Sequence, residues 1–209
     1  MYDCSPSFDD GRLRATLAER HSMGMPSTTG RWTAEMLRAL PDDGRRYEIV
    51  RGALLVTPSP SWTHQRAVTL LVRAIANYLD GLRLAEVLIA PADVELESDT
   101  VVQPDVFVVP RVGGKSPRRW TDVGRMLLAI EILSPSTTLG DRVVKRRLYL
   151  EHAIAEYWIV DLENRCVERW LRGDERAEIV RDALEWRAGS EVAPLVLDLR
   201  QLFAEVLED

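Results

Sequence analysis

Two stretches of this chain are apolar at nearly every position instead of every second or fourth: residues 101–109 (VVQPDVFVV) and 126–133 (MLLAIEIL). Runs of this length without alternation are expected of central strands buried on both faces. Elsewhere the period changes. Residues 64–80 place Ala67, Leu70, Leu71, Ala74, Tyr78 and Leu79 at helical spacing, with Gly81 just past the end, which predicts an amphipathic core helix. Thr33 is placed to cap a short helix bearing Met36, Leu37 and Leu40, stopped by Pro41-Asp42-Asp43-Gly44. Residues 47–57 read as two short strands turning at Arg51-Gly52, and residues 86–89 and 92–96 as strand material around Pro91. Residues 141–152 read as a helix, 156–161 as a strand, and 165–171 and 177–187 as antiparallel strands separated by Arg172-Gly173-Asp174. Asp198 caps a last helix carrying Leu199, Leu202, Phe203, Val206 and Leu207. The order α-β-β-α-β-β-β-α-β-β-β-α describes a single α/β or α+β domain without internal repeats.

Residues 1–30 break this pattern. They mix Ser, Thr, Gly, Pro and charge, with at most one short helix around residues 13–19, and read as a flexible tail or an overcalled start ahead of a domain at 31–209; Met23 and Met25 are alternative starts. The chain has 209 residues, 46% hydrophobic and 29% charged, enough for one buried core and unlike collagen, a coiled coil or a disordered chain. Cys4 and Cys166 lie far apart with no CxxC pair, and His21, His64 and His152 are scattered, so neither a disulfide framework nor a structural zinc site is expected. No run approaches the roughly 18 apolar residues of a membrane helix, and the start lacks a signal-peptide layout. The expected location is the cytoplasm, with no membrane partner.

A net charge of −6 argues against a general nucleic-acid binder. Its distribution weakens that argument. Residues 1–160 hold 20 acids and 20 bases, whereas residues 161–209 hold 13 acids and seven Arg. Basic segments survive at 111–125, with Arg118 and Arg119, and at 141–147, with Arg142 and Arg146. Taken alone, such runs read as solvated faces. Of the 27 bases 25 are Arg, so Lys145 is one of only two Lys, with Lys115.

Asp105 and Glu131 each interrupt one of the apolar runs. A carboxylate buried there costs several kcal/mol unless a partner or a metal compensates. If the two strands are neighbours, their oxygens converge as a hard divalent cation requires. Taken singly, each carboxylate also fits a strand end satisfied by a backbone N–H or an Arg. Asp141, Lys145 and Tyr149 form one stripe of the following helix, where Lys145 can serve chemistry or merely pair with Asp141. Residues 109–116 end in GKS like the tail of a P-loop, but Val109 stands at the first required Gly and Pro117 opposes a helix. Trp62, Trp120 and Trp158 are candidates for base stacking or for the core.

The succession YEIVRG, SPSWTHQ, VVQPDVFVV, EILSPST, D-x-x-x-K-x-x-x-Y and EYWIVD resembles the Uma-type endonuclease family, a bacterial branch of the PD-(D/E)XK restriction-endonuclease-like superfamily. The resemblance runs from about Trp32 to the C-terminus. It implies a restriction-endonuclease-like core, a central mixed β-sheet flanked by helices, with antiparallel strands toward the C-terminus. It makes Asp105 and Glu131 the catalytic acids, binding Mg²⁺ or Mn²⁺ with the Leu133 backbone carbonyl. Leu133 stands where the superfamily has its usual Lys, and Lys145 is the substitute. Glu48 matches a further acidic position, and His64 and Asp93 are additional candidates. The implied reaction is metal-dependent hydrolysis of nucleic acid, DNA first, with Arg118, Arg119, Arg142 and Arg146 as grip and a homodimer as the simplest way to cut a duplex. The alternative is a catalytically silent nuclease-like fold acting as an interaction or regulatory module.

Overall fold

Arg51 and Gly52 have φ of 50° and 81°, the two left-handed conformations that a two-residue type I′ hairpin turn needs. In the computed structural model, which describes residues 30–57, 59–133, 139–152 and 154–208, this turn joins β1 (Arg46–Val50) to β2 (Ala53–Thr57). Ahead of them lies α1 (Ala34–Arg38), whose first turn Thr33 caps through its hydroxyl as the sequence predicts. The elements below all belong to one unit, Trp32–Asp209.

The long helix, α2 (Trp62–Leu79), begins two residues before the expected start because the Ser61 hydroxyl accepts the His64 N–H. Two short strands follow, β3 (Ala85–Ile89) and β4 (Val94–Glu97). The apolar run at 101–109 is not one strand. It divides into β5 (Thr100–Val102) and β6 (Val106–Pro110), which belong to different sheets. The physical cause lies in Gln103-Pro104-Asp105: Pro104 has no N–H for a ladder, and the Asp105 side chain accepts the Ile132 N–H. The second run supplies β7 (Leu128–Ile132), and after it come α3 (Leu139–Glu151), β8 (Glu156–Asp161) and β9 (Cys166–Leu171).

The segment expected as one strand at 177–187 also divides, into β10 (Glu178–Val180) and β11 (Ala183–Trp186). β11 pairs with a strand the periodicity did not disclose, β12 (Leu195–Asp198), which runs directly into α4 (Leu199–Leu207). The Asp182 carbonyl at the break accepts the Leu199 N–H at 2.8 Å, turning the chain out of the larger sheet.

Two sheets position the candidate site. The larger has the order β10-β9-β8-β7-β6-β3 and is mixed, since β7 and β8 are parallel while the other pairs are antiparallel. The smaller, antiparallel sheet has the order β2-β1-β5-β4. The central strands are buried on both faces, as their unbroken apolar runs require. One face packs Val106, Val108, Leu128, Ile130 and Trp158 against Ala67, Leu71 and Ile75 of α2 and Phe203 of α4. The opposite face packs Phe107, Ala129, Tyr157 and Ile159 against Leu148 and Tyr149 of α3. The GKS segment forms a tight turn closed by reciprocal Val112–Lys115 backbone hydrogen bonds at 2.9 and 3.1 Å, and no helix opens after it. Among the described residues no helix is long and apolar enough to cross a membrane.

Candidate active site

β1 delivers Arg46 and Glu48 to one face, because residues two apart on a strand project the same way. On the larger sheet, antiparallel β6 and β7 pair Val106 with Ile130. Just before β6, Asp105 reaches β7 through its side chain, which accepts the N–H of Ile132, the residue after Glu131. The following helix brings Lys145 and, one turn later, Tyr149. Both sheets and two helices therefore contribute to one charged cluster.

Every acid in it is held. Asp105, 4% exposed, accepts from Arg46 Nη1 at 2.8 Å on Oδ1, and from Ile132 N at 2.8 Å and His64 Nε2 at 3.1 Å on Oδ2. Glu48, 1% exposed, accepts the Gln103 N–H at 2.8 Å on Oε1 and Lys145 Nζ at 2.7 Å on Oε2. Glu131 Oε1 accepts from Lys145 Nζ at 3.2 Å and from the Tyr149 hydroxyl at 2.8 Å. The second Arg46 nitrogen, Nη2, donates to the Gln103 carbonyl. The Gln103 amide donates to Asp93 at 2.7 Å and to the Tyr47 carbonyl at 3.1 Å.

These contacts separate the two catalytic candidates electrostatically. Burial raises the Asp105 pKa, but the His64 hydrogen bond and the Arg46 charge outweigh it and hold the group down at about 2. Burial raises Glu131 too, and although Lys145 opposes the shift, the Asp105 and Glu48 charges add to it, leaving Glu131 at about 7. Burial works against the charge of Lys145, yet Glu131 and Glu48 raise its pKa above the ordinary value. Arg46 is likewise raised, by Glu131, Asp105 and Glu48 against burial. Burial and the neighbouring Glu131 push the Tyr149 hydroxyl well up, so it stays a donor.

A cleft of about 380 Å³ opens onto Asp105 and is lined also by Arg45, Arg46, Ser59, His64, Gln65 and Gln103. Inside its wall, the His64 Nδ1 and Gln103 Oε1 atoms are buried without a hydrogen-bond partner among the described residues. An oxygen-rich donor set with an acid raised by neighbouring acids suits a hard divalent cation. Among the described residues, no three His, Cys, Asp or Glu form a ready metal cluster. Asp105 and Glu131 are the oxygen donors that would hold such an ion, and Arg46 and Lys145 engage them in this structure.

The structure thus brings together Asp105, Glu131, Lys145, Glu48 and His64, with Asp93 joined through Gln103. Leu133 lies just past the end of β7. The Leu133 N–H donates to Val160 of β8 at 2.9 Å, whereas the Ile132 N–H faces Asp105. The N–H and C=O of one strand residue point the same way. The carbonyl on the Asp105 edge of β7 is therefore that of Ile132. The proposed grip residues are displaced from the cleft. Arg119 is exposed and paired with Asp122 at 3.0 Å, Arg118 is exposed, and the Arg146 guanidinium lies over the Trp170 ring at 4.5 Å. None of these three lines the Asp105 cleft. The side chains of Arg142 and Asp141 fall outside the described residues, as do residues 1–29. Trp158 is buried in the core and Trp120 is 40% exposed, while Trp62, at 76%, stands free at the first residue of α2.

Arg46 and Gln103 were not among the sequence-level candidates, although each carried a signal. Arg46 lies two residues before Glu48 and Gln103 two before Asp105, so each shares a strand-like period with an acid already singled out.

No curated protein matches the chain. Its fold is similar to the crystal structure of "a putative nuclease belonging to DUF820" from Anabaena variabilis ATCC 29413, with a TM-score of 0.68 at 20% identity, covering 84% of this chain and 99% of that one. The Uma2 family profile, described as "Putative restriction endonuclease", matches residues 34–200, a span that includes both sheets and every member of the charged cluster. The chain belongs to the Uma2 family.

Proposed function

We propose that this chain is a divalent-cation-dependent endonuclease that hydrolyses phosphodiester bonds in nucleic acid, with DNA as the substrate class. The observation that carries the reading is the anchoring of Asp105 on the Ile132 N–H, next in the chain to Glu131, with Lys145 3.2 Å from Glu131. Asp105, Glu131 and the Ile132 carbonyl would hold Mg²⁺ or Mn²⁺, which supplies Lewis acidity and an activated water when bound. Around that position the chain's own residues have distinct tasks. His64 and the Ile132 N–H fix Asp105 Oδ2, and Tyr149 fixes Glu131 Oε1, so both carboxylates are oriented before substrate arrives. Lys145 offsets the charge of Glu131 and Glu48 and stands by to stabilise charge developing on the phosphate.

The test is cleavage of mixed DNA and RNA by the full chain in Mg²⁺ or Mn²⁺, against a chelator control and Asp105→Ala and Glu131→Ala variants. Cation-dependent cutting that disappears in both variants is expected. Cutting that survives in both, or that ignores the chelator, removes these residues from the reaction. A second reading has its own observation: each acid is already satisfied within the protein, as in a silent fold that keeps its charges for stability. That module cuts nothing in any cation and retains its partners when both acids are replaced.

A further inference from the structure

Arg46 sits where an added cation would have to go. Of the two Asp105 oxygens, Oδ2 already accepts from a backbone N–H and from His64, while among the described residues Oδ1 accepts only from Arg46, at 2.8 Å. The guanidinium is also close enough to Glu48 and Glu131 for all three acids to act on it. It is not sealed in: its side chain is 20% exposed, and it lines the cleft beside Asp105. Its buried Nε has no hydrogen-bond partner among the described residues, so the hydrogen bonding of this arginine is incomplete there.

Charge balance gives this placement a consequence. Three carboxylates face Arg46 and Lys145, so the cluster without a metal is within one charge of neutral when all three are ionised. A divalent cation added with Arg46 in place would make it net positive and bring two cations onto one carboxylate. Moving Arg46 away removes that repulsion, and a phosphodiester in the cleft offers a replacement counter-ion whose geometry suits a guanidinium. We propose that Arg46 is a displaceable resident cation: it occupies Asp105 in the metal-free protein, yields Oδ1 to a divalent ion, and then binds the substrate phosphate in the adjoining cleft. This rests on the nuclease reading above and adds a role for a side chain outside the family-derived candidates. It makes metal and substrate binding mutually reinforcing, because each relieves a cost that the other imposes.

The experiment is a calorimetric titration of Mn²⁺ into the full-length wild type and Arg46→Met, paired with anisotropy of a labelled ten-nucleotide oligothymidylate in chelator and in Mn²⁺. Loss of the competing charge should tighten Mn²⁺ binding about tenfold in Arg46→Met, while oligonucleotide binding in Mn²⁺ weakens about tenfold. These opposite directions separate the proposal from a simple loss of structure, which would weaken both. In the wild type the oligonucleotide should tighten Mn²⁺ binding several-fold, a readout that needs no variant if Arg46→Met does not fold. Equal Mn²⁺ affinity in folded wild type and Arg46→Met, or no coupling in the wild type, overturns the role of Arg46 and leaves the nuclease reading standing. Mn²⁺ binding to Arg46→Met alone supports the proposal, whereas its absence from both proteins defeats this proposal and the metal-dependent reading together.

Discussion

Lys145 Nζ lies 2.7 Å from Glu48 Oε2, an ion pair between residues 97 positions apart that links α3 to β1. The same ammonium reaches Glu131 of the larger sheet, so one side chain bridges acids from both sheets. That connection makes the candidate site a structural element as well as a chemical one.

Removing the cation while leaving the acids should therefore cost stability before chemistry is considered. Lys145→Met leaves the buried Glu48 without its charge partner, a change worth about 3–5 kcal/mol for a buried pair. Adding Glu48→Gln should recover part of that loss. Urea unfolding of the two variants in chelator checks this, and a double variant no more stable than Lys145→Met would mean that the pair is not what holds the strands.

The Tyr149 hydroxyl can be removed with little change in shape. Tyr149→Phe keeps the ring beside Tyr157, at 4.8 Å between centroids, but deletes the hydrogen bond to Glu131. A stability loss of about 1 kcal/mol is expected. Mn²⁺ affinity should fall as well, because Glu131 Oε1 loses one of its two donors and keeps only Lys145. Calorimetry showing unchanged Mn²⁺ affinity would rule out an orienting role for the hydroxyl.

The raised pKa of Glu131 gives the metal-free protein a pH signature. Its folded value of about 7 lies above the ordinary 4.5, so the folded state binds the extra proton between these values. The favourable contribution is complete below about 4.5 and is lost as pH rises through about 7. Glu131→Gln cannot follow this titration, so its stability relative to wild type should improve across that window by on the order of 2 kcal/mol. Parallel stability curves for the two proteins in chelator would contradict the shift.

Trp62 offers a clean separation of binding from folding. An indole that is 76% exposed contributes little to the core, so Trp62→Ala should change stability by less than about 0.5 kcal/mol. Its place on α2, three residues before the cleft-lining Gln65, favours stacking on a nucleic-acid base. A fall of about tenfold in oligonucleotide affinity, within the stacking range of one to three kcal/mol, is expected. An unchanged affinity would assign Trp62 to some other surface.

Much of this architecture could be read from sequence because its apolar pattern is strong. The unbroken run containing Glu131 became a central strand, and the 3.6-residue spacing after Thr63 became the core helix. The run at 101–109 was misleading, since β-branched residues on both sides concealed a change of sheet at Pro104. β12 escaped notice because four residues are too few to establish a period. At the site, the acids stood out against apolar neighbours, whereas Arg46 did not, being one of 25 arginines in the chain. Its significance depends on the approach of β1 to the 103–105 crossover, a contact between distant segments. The Leu133 assignment came with the family resemblance, while the peptide direction at Ile132 shows only in its hydrogen bond to Asp105.

The crossover at Asp105 also has an evolutionary consequence. Its carboxylate replaces a missing main-chain contact to β7 and anchors Arg46 of the other sheet. A descendant that lost Glu131 or Lys145 would still need this acid to keep its strands in register, so an intact Pro104-Asp105 pair says more about the fold than about what such a chain does.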